Sequence, residues 1–229
     1  MNSDHNQIMN NRIALIEVDP QVDFGTVDGA LYVPRGEEIV TELNYLRIAL
    51  RDADLLCSVV LTQDSHPADH ISFQKNNPSS ELFKEHVLAC GGKQMMWPVH
   101  CQVGTLGQEF LPGLLRETND IVIQKGMNRE VDSYSGFGSE DCVREITPLD
   151  QHLKDLNIKC VVIGGLAFDY CVSATAKDAA RLGYSTIVVR SSTRGISPES
   201  CDREEKLMRA AGVIVVEDVK EAIQLLLLE

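Results

Sequence analysis

Cys171 lies in the stretch Lys159 to Gly183, KCVVIGGLAFDYCVSATAKDAARLG, where an apolar run gives way to a helical pattern. Cys160, Val161, Val162 and Ile163 are apolar and mostly β-branched, and read as a buried parallel strand. Gly164 and Gly165 are read as breaking it. From Tyr170 to Leu182 the period turns helical, with Val172, Ala176, Ala179 and Ala180 on one stripe, and Gly183 closes the helix. Asp169 is placed as its N-cap. Cys171 then falls in the first helical turn, just past the carboxyl end of a strand, the edge at which open α/β sheets bind ligands. A helix N-terminus lowers a thiol pKa and offers N–H groups to an oxyanion, so a thiolate nucleophile is one reading. A free cysteine is more often a buried structural residue, and this stretch alone favours that outcome.

The other reactive side chains shift the balance. Asp19 stands at the end of the first apolar strand, where a carboxylate can act as general base. A loop-capping role would suit it too, and would suit Asp23 and Asp28 equally. Lys125 closes the third strand just before Gly126, where it could hold an anionic site together or simply be solvated. Asp64-Ser65-His66 follows the second strand. Residues two apart in extended chain face the same way, so that carboxylate and imidazole converge. Pro67 could open a turn that brings His70 near, and His100 arrives on the Trp97-Pro98-Val99-His100 loop. Asp and His ligands with an open position suit a catalytic Zn²⁺, Fe²⁺ or Mn²⁺. Aromatic residues are only 5% of the chain, yet Phe24, Trp97, Tyr134 and Phe137 all fall in loops after strand ends, which suggests a flat apolar pocket. Core packing is the rival reading for Phe137.

The elements that must position these groups alternate. Strands are expected at Arg12 to Val18, Leu55 to Thr62, Asp120 to Gln124, Cys160 to Ile163, Tyr184 to Val189 and Val213 to Val216. Helices are expected at Glu37 to Asp52, Pro148 to Leu156, Tyr170 to Leu182, Ser200 to Ala211 and Val219 to Leu228. This is an α/β pattern: a mostly parallel six-stranded sheet with helices on both faces. Between Asp64 and Asn119 only a short helix around Leu82 to Ala89 suggests itself, and a segment of that size is usually functional. Glu17 is an unusual residue inside a central strand.

The chain has 229 residues, 44% hydrophobic and 24% charged, enough for one α/β domain with a large core. A formal net charge of -13 argues against nucleic acid or an anionic membrane as partner. Met1 to Asn11 is polar and reads as a loose tail rather than a signal peptide. The 7 cysteines are scattered and odd in number, which points to a reducing, cytoplasmic setting.

Asp19, Lys125 and Cys171 thus come from three strands to one sheet edge, with candidate metal ligands from a fourth. The motifs Val18-Asp19-Pro20-Gln21-Val22-Asp23-Phe24, Asp64-Ser65-His66-Pro67-Ala68-Asp69-His70, Trp97-Pro98-Val99-His100-Cys101, Lys125-Gly126 and Gly165-Leu166-Ala167-Phe168-Asp169-Tyr170-Cys171-Val172 together resemble the nicotinamidase (pyrazinamidase) group of the isochorismatase-like cysteine hydrolases. The resemblance implies a three-layer α/β/α, Rossmann-like domain over residues 1–229. It implies Cys171 as nucleophile, Asp19 as base and Lys125 as third triad member. It implies Asp64, His66 and His100 as ligands of one divalent metal, zinc first, with iron or manganese as alternatives and His70 as a further ligand in some members. It also implies a cis Leu166–Ala167 bond, with the N–H groups of Ala167 and Cys171 facing the oxyanion, and a pocket of Phe24, Trp97, Tyr134 and Phe137. Phe168 stands where the group usually has Thr. The activity implied is hydrolysis of nicotinamide to nicotinate and ammonia through a thioester, in NAD salvage, with pyrazinamide also accepted. A metal-independent ureido or carbamoyl amidohydrolase is the alternative, and a homo-oligomer is left open.

Overall fold

The computed structural model describes residues 12–139 and 143–228; residues 1–11, read above as a tail, lie outside them. β1 (Ile13–Val18) leads through a single turn, α1 (Val22–Gly25), to the long helix α2 (Ile39–Asp52) and then β2 (Leu56–Asp64). A hairpin of β3 (Glu85–Val87) and β4 (Lys93–Met95) precedes β5 (Ile121–Lys125), and a second one, β6 (Gly138–Ser139) and β7 (Glu145–Ile146), follows it. The remainder alternates: α3 (Leu149–Asp155), β8 (Cys160–Leu166), α4 (Ser173–Arg181), β9 (Ser185–Arg194), α5 (Pro198–Ala210), β10 (Ile214–Val216) and α6 (Val219–Leu226).

The main sheet has the order β10-β9-β8-β1-β2-β5, and every pairing in it is parallel. β1 lies between β8 and β2, so all six of its residues are buried. Its side chains divide by the strand period. Ile13 and Leu15 pack with Leu43, Leu46 and Leu50 of α2 and Ala222 of α6. Ala14, Ile16 and Val18 pack with Leu153 of α3, Ala176 of α4 and Met208 of α5. Helices therefore cover both faces, as the alternation predicts. Each fully buried leucine of α2 contributes roughly 1.5–3 kcal/mol. The last two helices are capped from their own sequence: Ser197 accepts from the N–H of Ser200 with Pro198 at the first position, and Asp218 accepts from the N–H of Glu221.

Three local expectations are corrected. Gly164 and Gly165 do not end β8, which continues to Leu166. A Cβ on Gly165 would meet the Val18 carbonyl oxygen at 2.0 Å, and its φ is +125°, so glycine is there to let two central strands approach. The segment around Leu82 to Ala89 is not helical; its backbone pairs across β3 and β4, Glu85 opposite Met95 and Val87 opposite Lys93. Asp169 does not cap a helix. It lies inside a wide turn, Phe168–Val172, that precedes α4, and its carboxylate accepts from the N–H groups of Ile196 and Ser197 and the hydroxyl of Ser200.

Among the described residues no helix is long and apolar enough to cross a membrane. Cys57, Cys101, Cys171 and Cys201 are free thiols, whereas Cys90 is disulfide-bonded, which departs from the reducing setting expected from the cysteine pattern.

Candidate active site

The four adjacent strands end at the same edge of the sheet: Val18 of β1 pairs with Gly165 of β8, and Asp64 of β2 with Lys125 of β5. Just beyond β1 the chain turns at Asp19, whose φ is +46°, a left-handed conformation rarely held by a non-glycine residue and one that clusters at functional sites. Thr62 fixes it from the next strand. The Asp19 N–H donates to the Thr62 hydroxyl at 3.1 Å, and that hydroxyl donates to Asp19 Oδ1 at 2.6 Å. Gln21 clamps the backbone of Asp64 from both sides, its amide nitrogen on the Asp64 carbonyl and its amide oxygen on the Asp64 N–H, each at 2.8 Å.

Lys125 is the centre of the arrangement. Its fully buried ammonium lies 2.9 Å from Asp19 Oδ2 and 2.5 Å from Asp64 Oδ1, and also donates to the Ser133 carbonyl at 3.0 Å and to Cys171 Sγ at 3.5 Å. Burial opposes the charge on Lys125, but Asp19 and Asp64 outweigh it and hold the lysine protonated. Burial pushes Asp19 up to about 6, with Lys125 pulling it back and the Asp64 charge pushing further. Burial would also raise Asp64, yet Lys125 and then His66 keep it well below the ordinary carboxylate range. The Cys171 thiol is pushed far above its usual value by burial, against the pull of Lys125. Burial at this position thus works against the thiolate that a helix N-terminus favours, and a carboxylate stands in the same cluster to take the proton.

Three imidazoles meet next to Asp64. Asp64, His66 and His100 bring one donor atom each within 4.8 Å of one another. His66 Nδ1–H donates to the Gly126 carbonyl at 2.9 Å, and His100 Nδ1–H to the Pro98 carbonyl at 2.8 Å, which leaves the Nε2 lone pair of each ring for a ligand. His66 Nε2 is buried with no hydrogen-bond partner. Burial would lower the His66 pKa, but the Asp64 carboxylate outweighs it, so the position favours a positive charge that a metal ion can supply. These residues fit a divalent cation. Two other groupings fit less well. Asp19, Asp64 and Cys171 already surround the Lys125 ammonium. In the group His66, His70 and Asp132, both nitrogens of His70 are occupied, Nδ1 by the Ser72 hydroxyl at 2.7 Å and Nε2–H by the Val131 carbonyl at 3.1 Å. His70 is near His66, ring centres 4.1 Å apart, as the Pro67 turn suggested, but its lone pair is spent.

A narrow cavity opens onto Cys171. Phe24, Trp97 and Tyr134 line it. Trp97 Nε1–H donates to the Tyr134 hydroxyl at 3.0 Å, and the Trp97 and Tyr170 rings meet edge to face at 5.1 Å, making one aromatic wall. Phe137 is not part of it: it packs in the core and stacks on Tyr184 at 6.2 Å, so the rival reading holds there. Asp23 takes the loop-capping role, its carboxylate accepting from the N–H groups of Cys101 at 2.7 Å and Ala30 at 3.1 Å. Sequence reasoning missed Leu31, Val33, Asp132, Tyr170 and Ile196 in the cavity. It also missed Thr62, which the strand period could have shown, since it lies two residues before Asp64.

The isochorismatase domain model matches residues 13–218. The chain belongs to the isochorismatase family. A nicotinamidase of Acinetobacter baylyi is 36% identical over 204 residues, covering 89% of this chain and 91% of that protein. Two solved structures of the isochorismatase fold are similarly close. The yeast nicotinamidase bound to the inhibitor nicotinaldehyde superposes with a TM-score of 0.82 at 32% identity, over 90% of this chain and 100% of that one. The pyrazinamidase of Pyrococcus horikoshii in complex with zinc gives a TM-score of 0.73 at 33% identity, over 90% and 99%.

Proposed function

We propose that this chain hydrolyses nicotinamide to nicotinate and ammonia, and accepts pyrazinamide. The observation that carries this reading is the Lys125 ammonium, which touches Asp19, Asp64 and Cys171 at once and so joins a base, a thiol and a metal-ligand group in one buried cluster. The names of the similar proteins support the same substrate class.

Asp19 takes the Cys171 proton as sulfur attacks the amide carbon, and Lys125 offsets the negative charge that this leaves. The N–H groups of Ala167 and Cys171 hold the oxyanion; the Leu166–Ala167 peptide that presents Ala167 is cis in the structure. Asp19 then gives its proton to the leaving nitrogen, the C–N bond breaks, and a thioester remains. Asp19 next deprotonates water, which attacks the thioester carbon and releases nicotinate and the thiol. Phe24, Trp97 and Tyr134 clasp the flat ring. A divalent metal, which we assign as zinc, would be held by Asp64, His66 and His100 and would supply a Lewis-acid point for the pyridine nitrogen. A cytoplasmic location is part of this reading and is supported by the scattered, odd-numbered cysteines.

Ammonia release from nicotinamide, with and without chelator, tests the proposal. Turnover that chelation suppresses is expected, with benzamide a poor substrate because it lacks the ring nitrogen. Equal kcat/KM for the two amides would remove the metal–pyridine contact, and full activity of the metal-free protein would favour the metal-independent ureido or carbamoyl hydrolase instead.

A further inference from the structure

One carboxylate outside the reacting cluster is bonded to the backbone that orients a metal ligand. Glu145, on β7, accepts three consecutive N–H groups from the loop after Lys125: Gly126 at 3.1 Å on Oε2, and Met127 at 3.0 Å and Asn128 at 3.1 Å on Oε1. The carbonyl of the first of these residues, Gly126, is the acceptor that fixes His66 Nδ1–H. The loop cannot drift without disturbing that imidazole. Gly126 is in the left-handed region with φ +62°, and a Cβ there would lie 2.4 Å from His66 Cε1, so backbone and ring are in direct contact. The other face of the same turn is pinned by the Ser65 N–H, which donates to the Lys125 carbonyl at 3.0 Å.

We propose that Glu145 is a positioning residue for the metal site: its carboxylate gathers the N–H groups of residues 126–128 and so sets the Gly126 carbonyl that orients His66. This rests on the reading of Asp64, His66 and His100 as metal ligands. The chemistry requires a carboxylate. Three N–H donors converge on two oxygens, whereas an amide would turn an NH₂ group toward at least one of them, donor against donor. Groups that orient a ligating imidazole typically change metal affinity by about 10–100-fold when lost.

The test is zinc affinity of the metal-stripped full chain, measured by competition with a chromophoric chelator. Glu145→Gln is expected to weaken binding about tenfold or more, and Glu145→Ala to do the same. Glu130→Gln removes an equal charge from an exposed position two residues further along the same loop, with no bond to the N–H groups of residues 126–128, and is expected to leave affinity unchanged. Thermal midpoints of the stripped variants guard against a folding defect. As a second readout, the His66 Nδ1–H resonance of ¹⁵N-labelled zinc-loaded protein, assigned by its loss in His66→Ala, is expected to shift in Glu145→Gln and to stay in Glu130→Gln. Wild-type affinity and an unmoved resonance in Glu145→Gln would overturn the proposal, as would equal weakening by Glu130→Gln. If His66→Ala binds zinc as tightly as the wild type, the metal-site reading itself fails, an outcome separate from any result at Glu145.

Discussion

Glu17 sits inside β1 and Asp19 just past its end, and neither side chain meets solvent. They nonetheless occupy different environments. Both oxygens of Glu17 are without a hydrogen-bond partner, and burial pushes its carboxyl up to about 8, with Arg47 pulling it down and Asp120 pushing it further up. Arg47 is already committed to Asp120 through two hydrogen bonds of 2.6 and 2.8 Å. Asp19 has the Thr62 hydroxyl on one oxygen and the Lys125 ammonium facing the other. Burial alone makes a carboxyl group a neutral passenger. Burial with a placed lysine makes it a base that titrates near neutrality and can pass a proton to and from a neighbouring thiol.

Removing the lysine is expected to have the largest effect. Lys125→Met leaves Asp19 and Asp64 buried without their shared cation, so turnover should be lost and stability should fall by about 3–5 kcal/mol in a denaturant titration. A fully active, fully stable variant would erase the distinction between the two carboxyl environments. Asp19→Asn keeps the shape and the Thr62 contact but not the proton acceptance, so kcat/KM should fall by at least ~10² while the fold persists. Glu17→Met should act in the opposite direction and raise stability by about 4 kcal/mol near pH 8, with activity retained.

The sign at Glu17 follows from its raised pKa. The unfolded chain ionises Glu17 near 4.5, whereas the folded chain keeps it neutral up to about 8. Stability is therefore fully present below the unfolded value and is lost as pH rises, by about 1.4 kcal/mol per pH unit between the two. The gain from Glu17→Met should accordingly be small at pH 5 and grow toward pH 8. A pH-independent gain would mean that packing, not charge, governs the position. The smallest effect is a shape: with Asp19 raised to about 6, wild-type kcat/KM should decline tenfold per unit as pH falls below that value.

Much of this contrast was legible in the chain. A buried strand announces itself through apolar, β-branched residues, and a charged group at its end is conspicuous, so Asp19, Lys125 and Asp64 stood out, as did Glu17 as an oddity. The six strands of the sheet were legible for the same reason. What could not be read depended on partners distant in sequence. Gly165 signals a break locally, but its role is to admit Val18 of another strand. Phe137 and Tyr134 look alike in a loop, and only the stacking on Tyr184 separates core from pocket. Leu31, Val33 and Ile196 are ordinary apolar loop residues until the fold turns them toward Cys171.

The most direct measurement is ammonia and nicotinate release from nicotinamide by the zinc-loaded wild type and Cys171→Ala, side by side, with acid-quenched wild type analysed by mass spectrometry. The account predicts one ammonia per nicotinate, an acyl adduct confined to the peptide carrying Cys171, and no turnover in Cys171→Ala. Near wild-type turnover in Cys171→Ala, or an adduct on another cysteine, would contradict it.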